Sequence, residues 1–376
     1  MKNIIYKFFI FFFSFFPIRR KKILFLSYYG SDYGCNPKYL SEYIVRKRKD
    51  WKVVWAFINP KEHNVEGVTK VKYLSYSYFY HLLTSKVFVT NYRMTELYKK
   101  RDGQFYVQTW HSSLRLKKIE ADAVDSLTEN YIKMAKADSK QTDLLISGCQ
   151  FSTEIFRRAF WYDGPIVSTG TPRGDVLFNR NEELTSRIKE SLGVNYEYKL
   201  VLYAPTFRKD HSLDSYDIDF TCLMSSLSQR FGGEWRILLR LHPHLRGLSE
   251  GFLNKEKEGK IIDVTNYDDI LELLCVSDVV VSDYSALIFD FAVTNRPCFL
   301  YVPDLDRYTS NDRKLYFDIN KLPFPRCGNN TELKNSIIEF DEENYAKNLH
   351  FFNETIGTYE TGHACENVMR EIESRI

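Results

Sequence analysis

The stretch CVSDVVVSDYSALIFDFAVTNRPCFLY, residues Cys275–Tyr301, decides the fold. Val279, Val280 and Val281 form a short apolar run, the pattern of a parallel strand buried on both faces. Ser282-Asp283-Tyr284-Ser285 ends that run, and Ala286, Leu287, Ile288 and Phe289 start a helix at once. Ser285 stands where an N-cap belongs. Arg296-Pro297 breaks the helix, and Cys298 begins the next strand. The plain reading is a βαβ crossover capped by a serine. The sharper reading adds an anion site, because a strand that runs straight into a helix start aims free N–H groups and the helix dipole at one point.

The same alternation extends both ways. Upstream, strands are expected at Ile23–Ser27, Val53–Ile58, Val68–Tyr73, Val87–Thr90, Phe105–Thr109 and Leu144–Ser147. Helices fall between them, near 37–49, 76–85 and 151–159. Gly164–Gly174 (GPIVSTGTPRG) has the composition of a linker or hinge. The alternation then restarts, with strands at Leu200–Ala204, Trp235–Leu241, Ile261–Val264, Val279–Ser282 and Cys298–Tyr301. Strands separated by helices predict parallel sheets covered on both faces. At 376 residues the chain is too long for one ordinary core. The expectation is an α/β protein of two doubly wound, Rossmann-like domains facing across a cleft. Residues 1–21 are a membrane-associating segment, 22–175 the first domain and 176–350 the second. Residues 351–376 form a helix that packs back on the first.

Composition narrows the class. Hydrophobic content is 44% and charged content 27%, with 52 Lys and Arg against 49 Asp and Glu. The net charge of +3 hides an asymmetry: Lys2, Lys7, Arg19, Arg20, Lys21 and Lys22 all precede the first acidic residue, Asp32. That suits an anionic membrane surface or a phosphorylated partner rather than nucleic acid. The seven cysteines are scattered without CxxC spacing, which predicts free thiols in a reducing compartment. Ile4–Phe16 is rich in Phe and Ile, but its roughly 13 residues fall short of the ~20 that span a bilayer. No small-residue cleavage site follows it. It reads as an in-plane anchor with cations on lipid headgroups, or alternatively as a helix of the domain core.

Ligands of doubly wound sheets bind past the carboxyl ends of the strands. Those positions hold Trp110-His111-Ser112-Ser113, Pro205-Thr206-Phe207-Arg208, His242-Pro243-His244 and Ser282-Asp283-Tyr284-Ser285. Any one histidine after a strand is usually structural; several polar groups at the same edges weaken that reading.

With these stretches in view, the chain resembles the CDP-glycerol glycerophosphotransferases, which build teichoic acids and some capsule polymers. The resemblance is carried by QTWHSS with LKKI after it, SGCQFSTEIFRRAF, GTPRGD, LYAPTFR, RLHP, SDYSALIFDFAVTNRPCFLY and FNETIGTYETGHACE, in that order. It implies a GT-B-like fold with an acceptor domain first and a CDP-glycerol domain second. It also implies transfer of glycerol phosphate to a hydroxyl of a lipid-linked (polyprenyl pyrophosphate) saccharide or polymer, with CMP released at the cytoplasmic face of the membrane. His111 matches the general base and His242 the contact to the donor pyrophosphate. Ser282, Asp283, Tyr284 and Ser285 match the segment that holds the donor phosphates, with Thr206 and Arg208 beside it. Trp110, Ser112, Ser113 and Lys117 fall on the acceptor side. One departure is clear. Ser112, Ser113 and Leu114 stand where the family usually has Gly-Thr-Pro, which restricts the backbone beside the base.

An alcohol attacking a phosphodiester must lose a proton, and an imidazole suits that task; the departing CMP anion needs hydrogen-bond donors or cations. No DxD-like pair ends a strand, so no obligatory metal or other cofactor is expected beyond CDP-glycerol as donor. CDP-ribitol, or a nucleotide sugar on the same architecture, is the alternative donor. A membrane scaffold without activity is the third reading.

Overall fold

The structure is a computed structural model that describes residues 2–95, 97–208, 216–241, 259–311 and 314–376. The expected site residue His242 lies outside these. The chain forms two compact units. The first comprises residues 1–113, 119–175 and 357–376; the second comprises 114–118 and 176–356.

The first unit is built on a seven-stranded sheet: β1 (Arg19–Leu26), β2 (Lys52–Phe57), β3 (Thr69–Lys72), β4 (Ser85–Thr90), β5 (Phe105–Gln108), β6 (Leu144–Ile146) and β7 (Ile166–Val167). Its order is β3-β2-β1-β4-β5-β6-β7, with every pair parallel. Side chains alternate between its faces as the pleat requires. Ile23, Phe25, Val53, Trp55, Val87 and Val89 pack on the helix Cys35–Lys47 and on the C-terminal helix Ala364–Arg375, through Val368, Met369 and Ile372. Leu24, Val54, Ala56 and Phe88 face the helix Tyr76–Thr84.

The second unit holds six strands: β8 (Lys199–Ala204), β9 (Trp235–Leu239), β10 (Ile261–Asp263), β11 (Val279–Ser282), β12 (Cys298–Tyr301) and β13 (Arg326–Cys327). The order β10-β9-β8-β11-β12-β13 is again all parallel. Each sheet therefore reverses its winding once, between β1 and β4 in one and between β8 and β11 in the other. These are the topological switch points where such sheets take ligands.

Several local expectations shift. Gly164–Gly174 is not an open linker: it contributes edge strand β7 and a tight turn at Pro172–Gly174. β13 was not foreseen, nor were the helices Asn330–Ile338 and Glu342–Ile356. The segment Leu114–Lys118 belongs to the second unit because it pairs there. Lys118 N donates to Lys314 O (2.9 Å) and Tyr316 N to Leu116 O (2.7 Å). All seven cysteines are free, and six are buried.

The N-terminal helix, Lys2–Ser14, divides its two faces. Tyr6, Phe9 and Phe13 meet Phe79 and Tyr80 at ring distances of 5.3–6.1 Å. Ile4, Phe8, Phe11 and Phe15 stay 60–73% exposed. The cations that follow open β1 instead of trailing the helix. Lys22 is buried, bonded to Thr84 Oγ1 and seated over the Tyr80 ring.

Candidate active site

At the first switch point the chain leaves β5 through Thr109, Trp110 and His111, and their three consecutive carbonyls are held by two side chains. Asn36, in the first turn of the helix Cys35–Lys47, donates through Nδ2 to the carbonyls of Thr109 and Trp110, both at 3.1 Å. Arg173 Nη1 donates to the carbonyl of His111 at 2.5 Å. Asn36 Oδ1 in turn accepts from Arg173 N at 3.0 Å, so the two clamps are joined.

The imidazole of His111 lies with Nδ1 3.2 Å from the carbonyl of Asn91. A carbonyl can only accept, so this bond places the proton on Nδ1 and makes Nε2 the nitrogen that carries the lone pair. Asn91 sits one residue past β4. Its Oδ1 accepts from Tyr28 N (3.0 Å) and its Nδ2 donates to Ser27 Oγ (3.2 Å), which ties the ends of β4 and β1 together. Trp110 and Tyr28 flank the imidazole, with ring centroids at 4.4 and 6.3 Å.

The expected acceptor residues divide. Trp110 is buried against Phe160 at 4.7 Å, beneath the loop. Ser112 is buried too, and the carbonyl of Ser113 accepts from Ser152 Oγ at 2.7 Å. A Cβ on Gly148 would come within 2.2 Å of Ser113 Oγ, so the bare glycine makes room for that serine. Lys117 belongs to the second unit, with Nζ 5.6 Å above the Tyr308 ring.

At the second switch point Thr206, Arg208, Ser282, Asp283 and Tyr284 converge, but as a closed cluster and not as an open cradle of amides. The Asp283 carboxylate accepts from Thr206 N (2.9 and 3.0 Å) and from Tyr284 N (2.6 Å). Ser282 Oγ donates to Ala204 O at 2.7 Å. Arg208 is fully buried and forks between Asp283 (2.9 Å) and Asp304 (2.7 Å). Burial pulls its pKa down, but the two carboxylates outweigh burial and hold it above the ordinary value. Tyr284 stacks on Tyr308 at 3.7 Å and donates its hydroxyl to Asp304. Ser285 is not the cap expected of it: the helix Leu287–Ala292 spans only six residues and is preceded by Ala286 at the cap position, with Ser285 Oγ 3.4 Å from Leu287 N. Beside the cluster, Asp304, Arg307, Arg326 and Gly328 line a cavity of about 500 Å³ past the ends of β12 and β13.

Residue-by-residue reading of the sequence missed Asn36, Asn91, Arg173, Asp304 and Tyr308. Arg173 stood inside the quoted GTPRGD motif; the others follow no motif of their own.

Known proteins agree with this architecture. A profile of the CDP-glycerol:poly(glycerophosphate) glycerophosphotransferase family matches residues 8–374. The chain is 32% identical over 371 residues to a teichoic acid poly(glycerol phosphate) polymerase of Bacillus spizizenii, covering 95% of this chain and 93% of that one. It is 33% identical over 368 residues to a teichoic acid glycerol-phosphate transferase of Staphylococcus aureus, covering 93% and 92%. Two further matched polymerases are longer, and the chain spans about half of each. The solved wall teichoic acid polymerase TagF, in a variant soaked with CDPG, superposes with a TM-score of 0.87 at 29% identity, over 99% of this chain and 93% of that one. The chain belongs to the CDP-glycerol:poly(glycerophosphate) glycerophosphotransferase family.

Proposed function

We propose that the protein transfers glycerol phosphate from CDP-glycerol to a hydroxyl of a lipid-linked saccharide or polymer acceptor, with two parallel-sheet units of the GT-B-like kind. His111 Nε2 takes the proton of the attacking hydroxyl. The new O–P bond forms at the phosphorus that bears glycerol, the pyrophosphate bridge breaks, and CMP leaves as an anion. The observation that carries this reading is the fixed imidazole: Nδ1 engaged by the carbonyl of Asn91, with the loop clamped by Asn36 and Arg173. That arrangement presents a base without reorganisation.

The donor is received at the second switch point. There Arg208, Asp283 and Tyr284 set the shape of the turn, Ser282 ties it to β8 through the carbonyl of Ala204, and Thr206 and Ser285 supply hydroxyls. His242 contacts the pyrophosphate. The chemistry needs no obligatory metal, and CMP release that persists after chelation checks this. The decisive experiment is His111→Ala, assayed for CMP release from CDP-glycerol with a short-chain prenyl pyrophosphate disaccharide. Activity within a few-fold of wild type removes His111 from the base role.

The N-terminal helix docks in the plane of the cytoplasmic leaflet. No described helix is long and apolar enough to cross a membrane. The exposed Phe8, Phe11 and Phe15 supply the apolar face. Phe8→Glu together with Phe11→Glu should release the protein from vesicles containing anionic lipid, and unchanged sedimentation would sink this assignment.

A further inference from the structure

Among the described residues, eight other than glycine adopt a left-handed backbone, and four of these gather around one imidazole. Tyr28 (φ 43°), Tyr29 (φ 57°) and Trp110 (φ 50°) lie at the strand ends of the first switch point. Cys35 (φ 60°) touches Arg173 Nη1, the group that holds the His111 carbonyl. Bulky residues avoid this region, and such conformations persist where surrounding contacts over-determine them, most often at functional sites. Here the contacts are visible. Asn91 Oδ1 takes the Tyr28 amide, and the Tyr29 ring is braced on Tyr92 at 3.9 Å.

The bracing leaves both rings open to solvent. Tyr28 and Tyr29 remain 37% and 40% exposed at the sheet edge where ligands bind, and the Tyr28 ring lies 6.3 Å from the His111 ring. We infer that Tyr28, braced by Tyr29, is the platform on which the acceptor's terminal polyol unit rests while its hydroxyl meets His111.

The ligand class follows from the ring. An aromatic face carries negative charge density, so it suits the C–H face of a glycerol or sugar unit and repels a phosphate placed directly over it. The acceptor would therefore lie with its polyol carbons on Tyr28, its phosphates beyond the ring edge and its free hydroxyl toward Nε2. The inference rests on the reaction proposed above.

The test uses the full chain, CDP-glycerol and, as acceptor, a short-chain prenyl pyrophosphate disaccharide bearing one glycerol phosphate. Tyr28→Ala should raise the acceptor KM about ten-fold or more, leaving the donor KM within two-fold. Tyr28→Phe keeps the ring and should restore the acceptor KM to within two-fold of wild type. Tyr28→Leu keeps an apolar side chain without a π face, so it serves if the alanine variant fails to fold by circular dichroism; it too should show the raised KM. An acceptor KM within two-fold of wild type in a folded Tyr28→Ala or Tyr28→Leu protein overturns the platform. Equal losses in Tyr28→Phe and Tyr28→Ala overturn it as well. His111→Ala measured alongside separates the two claims: if that variant is inactive while Tyr28 variants bind acceptor normally, the reaction stands and the platform falls.

Discussion

The two switch points share one strand order and solve different problems. At the end of β5, the chemistry is a single imidazole. It is oriented by the carbonyl of Asn91, the loop that carries it is clamped by Asn36 and Arg173, and the surrounding aromatic residues have left-handed backbones. Past β8 and β11, a buried guanidinium shares two carboxylates and is walled by Tyr284 and Tyr308. One edge presents an oriented imidazole. The other fixes the shape of a turn through desolvated charge. A sheet topology thus supplies a place for chemistry, and the side chains that arrive there decide which chemistry it is.

The contrast can be broken most directly at His111. His111→Ala should lower kcat by about 100-fold or more, the range of a lost general base, and leave CDP-glycerol binding by calorimetry unchanged. A fall in donor affinity would mean that the first edge also serves the donor. The next largest effect belongs to the second edge. Asp304→Ala leaves Arg208 one carboxylate short and the Tyr284 hydroxyl without its acceptor, at an expected cost of about 3–5 kcal/mol in denaturant unfolding. A loss below about 1 kcal/mol would show that the cluster is solvated in solution.

Asn36→Ala sharpens the picture of the first edge. It strips partners from the carbonyls of Thr109 and Trp110 and from the amide of Arg173, for about 1–3 kcal/mol. The kcat should fall more than either KM changes; the reverse pattern would make Asn36 a binding residue. The smallest effect is a control that touches neither edge. Burial, with Arg19 and Lys52 nearby, pulls the pKa of Lys22 from its ordinary 10.5 down to about 7. Between those values the unfolded chain holds a proton that the folded one lacks, so stability rises with pH across that window. Lys22→Met should flatten this rise in thermal unfolding while kcat and both KM values stay put.

What the sequence revealed follows the range of the interactions. The Val279–Val281 run and its neighbours are legible because a buried parallel strand needs only local apolar residues. His111 is legible because it stands where β5 ends. β7 and β13 escape because two-residue edge strands carry no period. The commitment of Arg208 to Asp304 is invisible because the partners are 96 residues apart. Asn91 fixes His111 through a backbone carbonyl, an atom every residue possesses, so no spacing could announce it. Ser285 misleads as well. A serine before an apolar run promises a cap, but the helix starts one residue later, with Ala286 at its cap, and Ser285 Oγ reaches only Leu287 N at 3.4 Å.

The twenty residues of Gly357–Ile376 return to the first sheet, where Val368, Met369 and Ile372 close its core. No single proteolytic cut therefore frees an intact half. A fragment ending at Asp175 would bare the apolar side of Ile23, Val53 and Val87 and should precipitate when expressed alone. Co-expressing the final segment as a separate peptide should keep it in solution, so the front half is completed only once the residues of the second unit have been made.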